Sequence, residues 1–187
     1  MELKILAFAD TRTTIKLPDV EPDVVLLLGD IQSKTVSQIN KKYKCNKLGV
    51  FGNHCHPKNF EDTEVVNMHS KIQIINGITF AGFEGAPTYK SDGVGQHTES
   101  ECEMFIKELG DRHVDVFISH SNPSYGDMNL DDAHRGYKSY NPLLMSNQIS
   151  HFFHGHLHNP FTREINKSVV HSVYSYLWVT VNVNQSN

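Results

Sequence analysis

The 187 residues suit one domain with room for a substantial buried core. A formal net charge of -4 and a pI near 6.3 exclude a nucleic-acid surface built on general basicity. They leave room for a small phosphate-bearing ligand, because a bound metal brings its own positive charge.

Three cysteines, Cys45, Cys55 and Cys102, form no C-x-x-C pair. That is neither a disulfide framework nor a zinc ribbon, and it suits a reducing compartment. The N-terminal apolar stretch meets Asp10 too soon for a signal-peptide core, and no apolar run approaches a membrane span. The expectation is a soluble, cytoplasmic chain with no membrane partner, forming a single domain over 1–187. No feature selects an oligomeric state.

In chain order, Leu3–Ala9 and Val24–Leu28 read as buried strands closed by Asp10 and by Gly29-Asp30. Leu17–Asp23, with two prolines, is a connecting turn. Thr35–Tyr43 has helical spacing and leads to a third strand, Lys47–Phe51, which Gly52-Asn53-His54 ends. Asn76-Gly77 between Lys71–Ile75 and Ile78–Gly82 signals a hairpin. Gly85–Gln96 reads as a long loop. Glu99–Leu109 is the clearest helix, with Thr98 as its N-cap. Val114–Ser119 is a strand ending at His120. Asn122–Tyr140 is a long loop of the kind that carries function. Pro142–Gln148 reads as a short helix and Ile149–Phe153 as a strand. Thr162–Ile165, Ser168–Val173 and Leu177–Val183 read as a β meander.

The last of these strands but three feeds the densest signal in the chain. Of 12 histidines, His151, His154, His156 and His158 fall within eight residues. Imidazole is the commonest side-chain metal ligand. Asp10, Asp30, Asn53 and His120 each stand near the end of an apolar run, and in open α/β sheets sites lie at the carboxyl ends of strands. Carboxylate, amide oxygen and imidazole together suit Mn, Fe or Zn rather than a softer ion. Two ions sharing a carboxylate can clamp the attacking and leaving oxygens of phosphoryl transfer.

Asp10-x-x, Gly29-Asp30, Gly52-Asn53-His54, His120 and Gly155-His156-x-His158, in that order, resemble the calcineurin-like metallophosphoesterase superfamily. The resemblance spans Asp10 to His158. It implies an α/β fold, a four-layer β-sandwich flanked by α-helices, with the metal site at the C-terminal ends of strands. By position it makes Asp30 the bridging ligand of divalent ions, one or two per chain, with Mn expected and Fe or Zn as alternatives. Asn53, His120 and His156 complete one site; Asp10 and His158 belong to the other. His54 matches the histidine that assists the leaving group. His154 and His56 read as ordinary strand and loop residues.

Two positions depart from the pattern. Arg12 stands where the superfamily usually has histidine, and arginine keeps its charge and cannot ligate. It either points away from the ions or replaces the first one, pairing with Asp10 or gripping a substrate phosphate. Cys55 replaces a common acidic residue and reads as buried and inert. In the loop Asp131–Gly136, small bacterial and phage-type members look similar, and His134 and Arg135 are candidates for phosphate contact, with Tyr89 and Tyr125 weaker ones. The implied function is hydrolysis of a phosphomonoester or phosphodiester by metal-bound hydroxide, the phosphate ester being the partner. The alternative is a degenerate scaffold, as a retromer subunit is among the superfamily's relatives.

Overall fold

Parallel strands must be covered on both faces, so near-continuous apolar runs such as Val24–Leu27 imply a buried sheet. The computed structural model describes residues 1–56, 58–91 and 93–183; position 92 of the expected long loop and the last residues of the expected 1–187 domain lie outside them. Strands β1 (Glu2–Ala9), β2 (Val24–Leu27), β3 (Asn46–Gly49) and β4 (Val65–Asn67) run parallel, and β13 (Ser175–Asn182) pairs antiparallel with β1. A second sheet has the order β11-β12-β10-β9-β6-β5. Its strands are β5 (Lys71–Ile75), β6 (Ile78–Phe83), β9 (Val114–Ser119), β10 (Ile149–His154), β11 (Phe161–Ile165) and β12 (Ser168–Ser172). Two-residue strands β7 (Ala86–Pro87) and β8 (Gln96–His97) pair within the region expected to be loop.

Each sheet packs one face against the other. Ile5, Ala7 and Leu26 of the first meet Phe80, Val116, Ile118 and Phe153 of the second in one buried cluster. The outer face of the first sheet, Leu6, Phe8, Val25 and Leu27, is covered by Val36 and Ile39 of α1 (Ser33–Lys42). The outer face of the second carries Phe117 and Phe152, stacked at 5.1 Å. Cys102, Phe105 and Leu109 of α2 (Glu99–Leu109) and Leu143 and Leu144 of α3 (Tyr140–Met145) cover it. The result is four layers, helix–sheet–sheet–helix. Each fully buried aromatic contributes roughly 1.5–3 kcal/mol. Thr98 and Glu101 close α2 with a reciprocal capping box, a cap being typically ~1 kcal/mol.

Most expected elements appear within a few residues of their expected bounds. Asn76 and Gly77 both take positive φ, the pair that a two-residue hairpin turn demands. The short third helix starts earlier than expected, with Pro142 in its first turn, where a missing N–H costs nothing. The β meander does not form. β11 and β12 are a hairpin, but Ser175 turns at φ 68 and β13 crosses to the other sheet. There its inward residues Leu177, Val179 and Val181 join the inter-sheet core. Among the described residues no helix is long and apolar enough to cross a membrane.

Candidate metal centre

The C-terminal ends of β1, β2 and β3 from one sheet, and of β9 and β10 from the other, open on the same rim of the sandwich. The chain leaves each strand abruptly. Asp10 and Asp30 both take φ 53, His156 φ 70 and His158 φ 53. Left-handed backbone costs a non-glycine residue roughly 1–3 kcal/mol, least for Asp and Asn, and such strain clusters at functional sites. Gly29 (φ 91) and Gly52 make the close approach possible: a Cβ on Gly29 would stand 2.6 Å from His120 Nδ1, and one on Gly52 2.2 Å from Asp30 Oδ1.

Asp10, Asp30 and His120 are buried and offer ligand atoms within 4.8 Å of one another. Asp30 Oδ1 accepts the His54 amide at 2.9 Å, and Asp30 Oδ2 lies 3.8 Å from His120 Nε2. Asp10 Oδ2 accepts the His156 amide at 2.8 Å, while its Oδ1 lies 3.3 Å from His158 Nε2 but has no hydrogen bond. Burial raises the Asp10 carboxyl above its usual range, against the pull of His120, the His156 amide and His158. Burial also opposes ionisation of Asp30, but His120, the His54 amide and Arg12 outweigh it and hold that carboxyl low.

The imidazoles are oriented by carbonyls, which can only accept. His120 Nδ1 donates to Leu28 O at 2.8 Å, and its Nε2 lies 3.0 Å from Asn53 Oδ1. Asn53 is turned that way by donating Nδ2 to Tyr89 Oη at 3.0 Å. His156 Nε2 donates to Ala133 O at 2.7 Å and leaves Nδ1 free; burial, then His120, pushes its pKa down to about 3 and keeps it neutral. An orphaned Asp10 carboxylate oxygen, the Asn53 amide oxygen and the neutral His156 imidazole are a donor set that fits a borderline divalent ion.

The other expected site residues divide. His54 is exposed and lines, with Arg12, His56 and Asn59, a cleft of about 370 Å³ that reaches Asp30 and the start of α1. His56, read as an ordinary loop residue, therefore faces that cleft. Arg12 pairs with Asp30, Nη2 to Oδ2 at 3.3 Å, rather than with Asp10, one of the alternatives the sequence left open: the turn Asp10–Arg12 carries its side chain toward the second strand's carboxylate. The His134 ring packs tilted against His156 at 4.6 Å and bonds Asp131 at 2.7 Å. The Arg135 guanidinium is engaged with Thr88 O at 2.9 Å, next to Tyr89. Tyr125 lies away from this set, buried and bonded to His154 Nε2 at 2.8 Å. His154 is a core residue with both nitrogens occupied. Cys55 is half-buried rather than buried; its Sγ accepts the Asp30 and Gly52 amides, both at 3.1 Å, and burial pushes its pKa up to about 11. The orienting carbonyls of Leu28 and Ala133 carry no side-chain signal and were invisible in the sequence.

A family model described as calcineurin-like phosphoesterase matches residues 6–160. Comparison with curated proteins gives no match. Among solved structures the chain is similar to the protein TT1561 of Thermus thermophilus, at 14% identity and TM-score 0.67, over 98% of this chain and 100% of that one. It is similar to a putative 5'-nucleotidase from Staphylococcus aureus, at 11% identity and TM-score 0.64, over 98% of this chain and 51% of that one. Phosphopantetheinyl hydrolase (PptH) from Mycobacterium tuberculosis matches at 14% identity and TM-score 0.62, over 92% and 89% of the respective chains. At these identities the likeness is one of fold.

Proposed function

The chain belongs to the calcineurin-like phosphoesterase family, which implies divalent metal ions, and from that premise we propose a hydrolase of small phosphoesters or exposed phosphate groups. Manganese is the proposed ion, with iron or zinc as alternatives. The observation that carries the reading is the convergence of Asp10, Asp30 and His120 within 4.8 Å beside the opposed Asn53 oxygen. In this reading Asp10, Asp30, Asn53, His120, His156 and His158 would hold the ions, with Asp30 the candidate for a shared ligand. The bound ions supply positive charge against the phosphate oxygens and a water acidic enough to be a nucleophile at neutral pH.

The chain's own residues do the rest. The exposed half of Arg12 grips a phosphate oxygen while the remainder of the guanidinium stays on Asp30. Water displaces the leaving oxygen directly at phosphorus: the new P–O bond forms, the ester P–O bond breaks, and His54 gives a proton to the departing oxygen. His134, packed against His156, closes the side of the site toward the loop 131–136. The net charge of -4 favours small substrates over long nucleic acids.

A second reading, a scaffold that has lost turnover, is favoured by one observation: a fixed cation already occupies Asp30. The test is hydrolysis of an aryl phosphate and an aryl phosphodiester with Mn, beside metal content of protein purified without chelator. His54→Ala should lower turnover ~10²–10⁴-fold with fold and metal content kept. Wild-type protein with neither metal nor turnover would leave the scaffold reading standing.

A further inference from the structure

The rim holds a second constellation that the phosphoesterase reading does not use. His69 follows β4, Glu84 follows β6 and His97 lies on β8, three segments far apart in sequence. Each offers one ligand atom, all within 4.8 Å. Glu84 Oε1 is 3.5 Å from His97 Nε2 and 4.0 Å from His69 Nδ1. The two imidazoles stack at 4.7 Å, and the buried Phe83 ring packs against both, at 5.0 Å from His69 and 5.3 Å from His97.

Glu84 Oε2 is buried here without a hydrogen bond, and the buried His97 Nε2 has no partner nearer than Glu84 Oε1 at 3.5 Å. Leaving a buried carboxylate oxygen unpaired costs ~1–3 kcal/mol, so a native structure that keeps one asks for an explanation. Zinc binds imidazole nitrogen at about 2.0–2.1 Å and carboxylate oxygen at about 2.0–2.2 Å, which puts tetrahedral ligand atoms about 3.4 Å apart. The observed separations need only a small inward movement. The one contact that ligation displaces is the hydrogen bond from the Glu84 amide to His69 Nδ1, long at 3.2 Å. The side chains are 16–30% exposed, so the cluster reaches the surface.

We propose that His69, Glu84 and His97 form a separate, three-ligand site for a borderline divalent cation, zinc foremost, that pins the 86–97 segment to the sandwich. Burial favours the neutral, ligating form of His69. Two imidazoles and one carboxylate give a donor set distinct from the carboxylate-rich centre, with a single negative charge to match against the ion. The consequence reaches the main site. Gly85 N donates to Phe51 O at 2.9 Å, and Thr88 N donates to His97 O at 3.1 Å. The next residue, Tyr89, is the one that orients Asn53. An ion on His97 and Glu84 therefore stiffens both ends of the segment that aims the asparagine.

The test uses the full chain with Asp10→Asn and Asp30→Asn, which removes the main centre's carboxylates, after stripping and dialysis against Zn²⁺. One zinc per chain is expected, with a higher Tm when loaded and tetrahedral visible bands when Co²⁺ replaces it. Adding Glu84→Gln, or separately His97→Asn, should remove that ion and the Tm gain. In the otherwise wild-type chain, Glu84→Gln should lose this ion alone. No zinc in the double variant, or a zinc that both additional substitutions leave in place, overturns the proposal. Failure of the phosphoesterase reading shows elsewhere, as no turnover by the wild-type chain, so the two outcomes are separable.

Discussion

Replacing Arg12 with glutamine tests what a fixed cation does beside the central carboxylate. Its Nη2 lies 3.3 Å from Asp30 Oδ2, where two unit charges at an effective dielectric of 20 attract by about 5 kcal/mol. That figure overstates the pair, because the arginine side chain is 55% exposed while Asp30 is 1% exposed. Solvent screening brings a half-exposed pair to ~1 kcal/mol or less. Arg12→Gln should therefore cost under ~1 kcal/mol of folding stability. The same residual charge opposes a divalent ion by about 2 kcal/mol, so Mn should bind roughly 30-fold more tightly to the variant. Losing a charge-assisted contact to substrate phosphate costs ~1.5–3 kcal/mol, roughly 10–150-fold in kcat/KM, carried mostly by KM. Mn titration calorimetry and steady-state kinetics at saturating Mn separate the two effects. Unchanged ion affinity together with unchanged kcat/KM would reduce Arg12 to a surface ion pair and refute the reasoning.

The remaining predictions concern packing and pH. Gly52→Ala places a Cβ 2.2 Å from Asp30 Oδ1 and 2.8 Å from Asp30 N, so the carboxylate must swing out. Mn binding should be lost, at a stability cost of ~1–3 kcal/mol in urea; wild-type Mn affinity would contradict the geometry. His171 is buried beneath Phe153, its ring stacked at 4.3 Å, and burial followed by His151 pushes its pKa from 6.5 down to about 3. The unfolded chain then binds the proton that the fold refuses, so His171's contribution is complete above about pH 6.5 and is lost as pH falls toward 3. Between pH 6.5 and 5 that amounts to about 2 kcal/mol. His171→Gln should flatten the urea-midpoint profile over that window by this amount; a parallel profile would show that His171 charges in the folded state.

Much of the rim was legible because its chemistry is placed by strand ends, and strand ends are visible in sequence. An apolar run that stops at Asp10, Gly29-Asp30 or His120 reveals both the strand and its closing ligand. Asn76-Gly77 was legible for a similar reason, since few dipeptides tolerate two positive φ values. The path of β13 was not. A period of two in Leu177, Val179 and Val181 says that one face is buried but not in which sheet, and the short link after β12 reads equally as a hairpin. The destination is set by Val173 N, which donates to His154 O, and by the turn at Ser175. β4, β7 and β8 are two or three residues long, too short to carry a pattern. His69, Glu84 and His97 form no motif; only the pairing of β6 with β9 brings Glu84 to the rim that also bears His120.

The strained residues give the site its internal logic. Asp10, Asp30, His156 and His158 occupy backbone conformations that the chain would leave if the sandwich did not hold them. The hold comes from both sheets at once. Gly155 N donates to His120 O and the His156 amide to Asp10 Oδ2, so the last motif is tied to β9 and to β1. A Cβ on Gly155 would press within 2.8 Å of Ala9 Cβ and Asp10 Oδ2, which explains glycine there without appeal to a ligand. Carboxylates and imidazoles are thus brought together by packing and hydrogen bonds from both sheets. Their mutual repulsion and desolvation, seen in the raised carboxyl of Asp10, are the free energy that cation binding releases. Packing of this kind holds strained backbone in place for one ligand class, so loosening either sheet should be felt first as weaker metal binding rather than as unfolding.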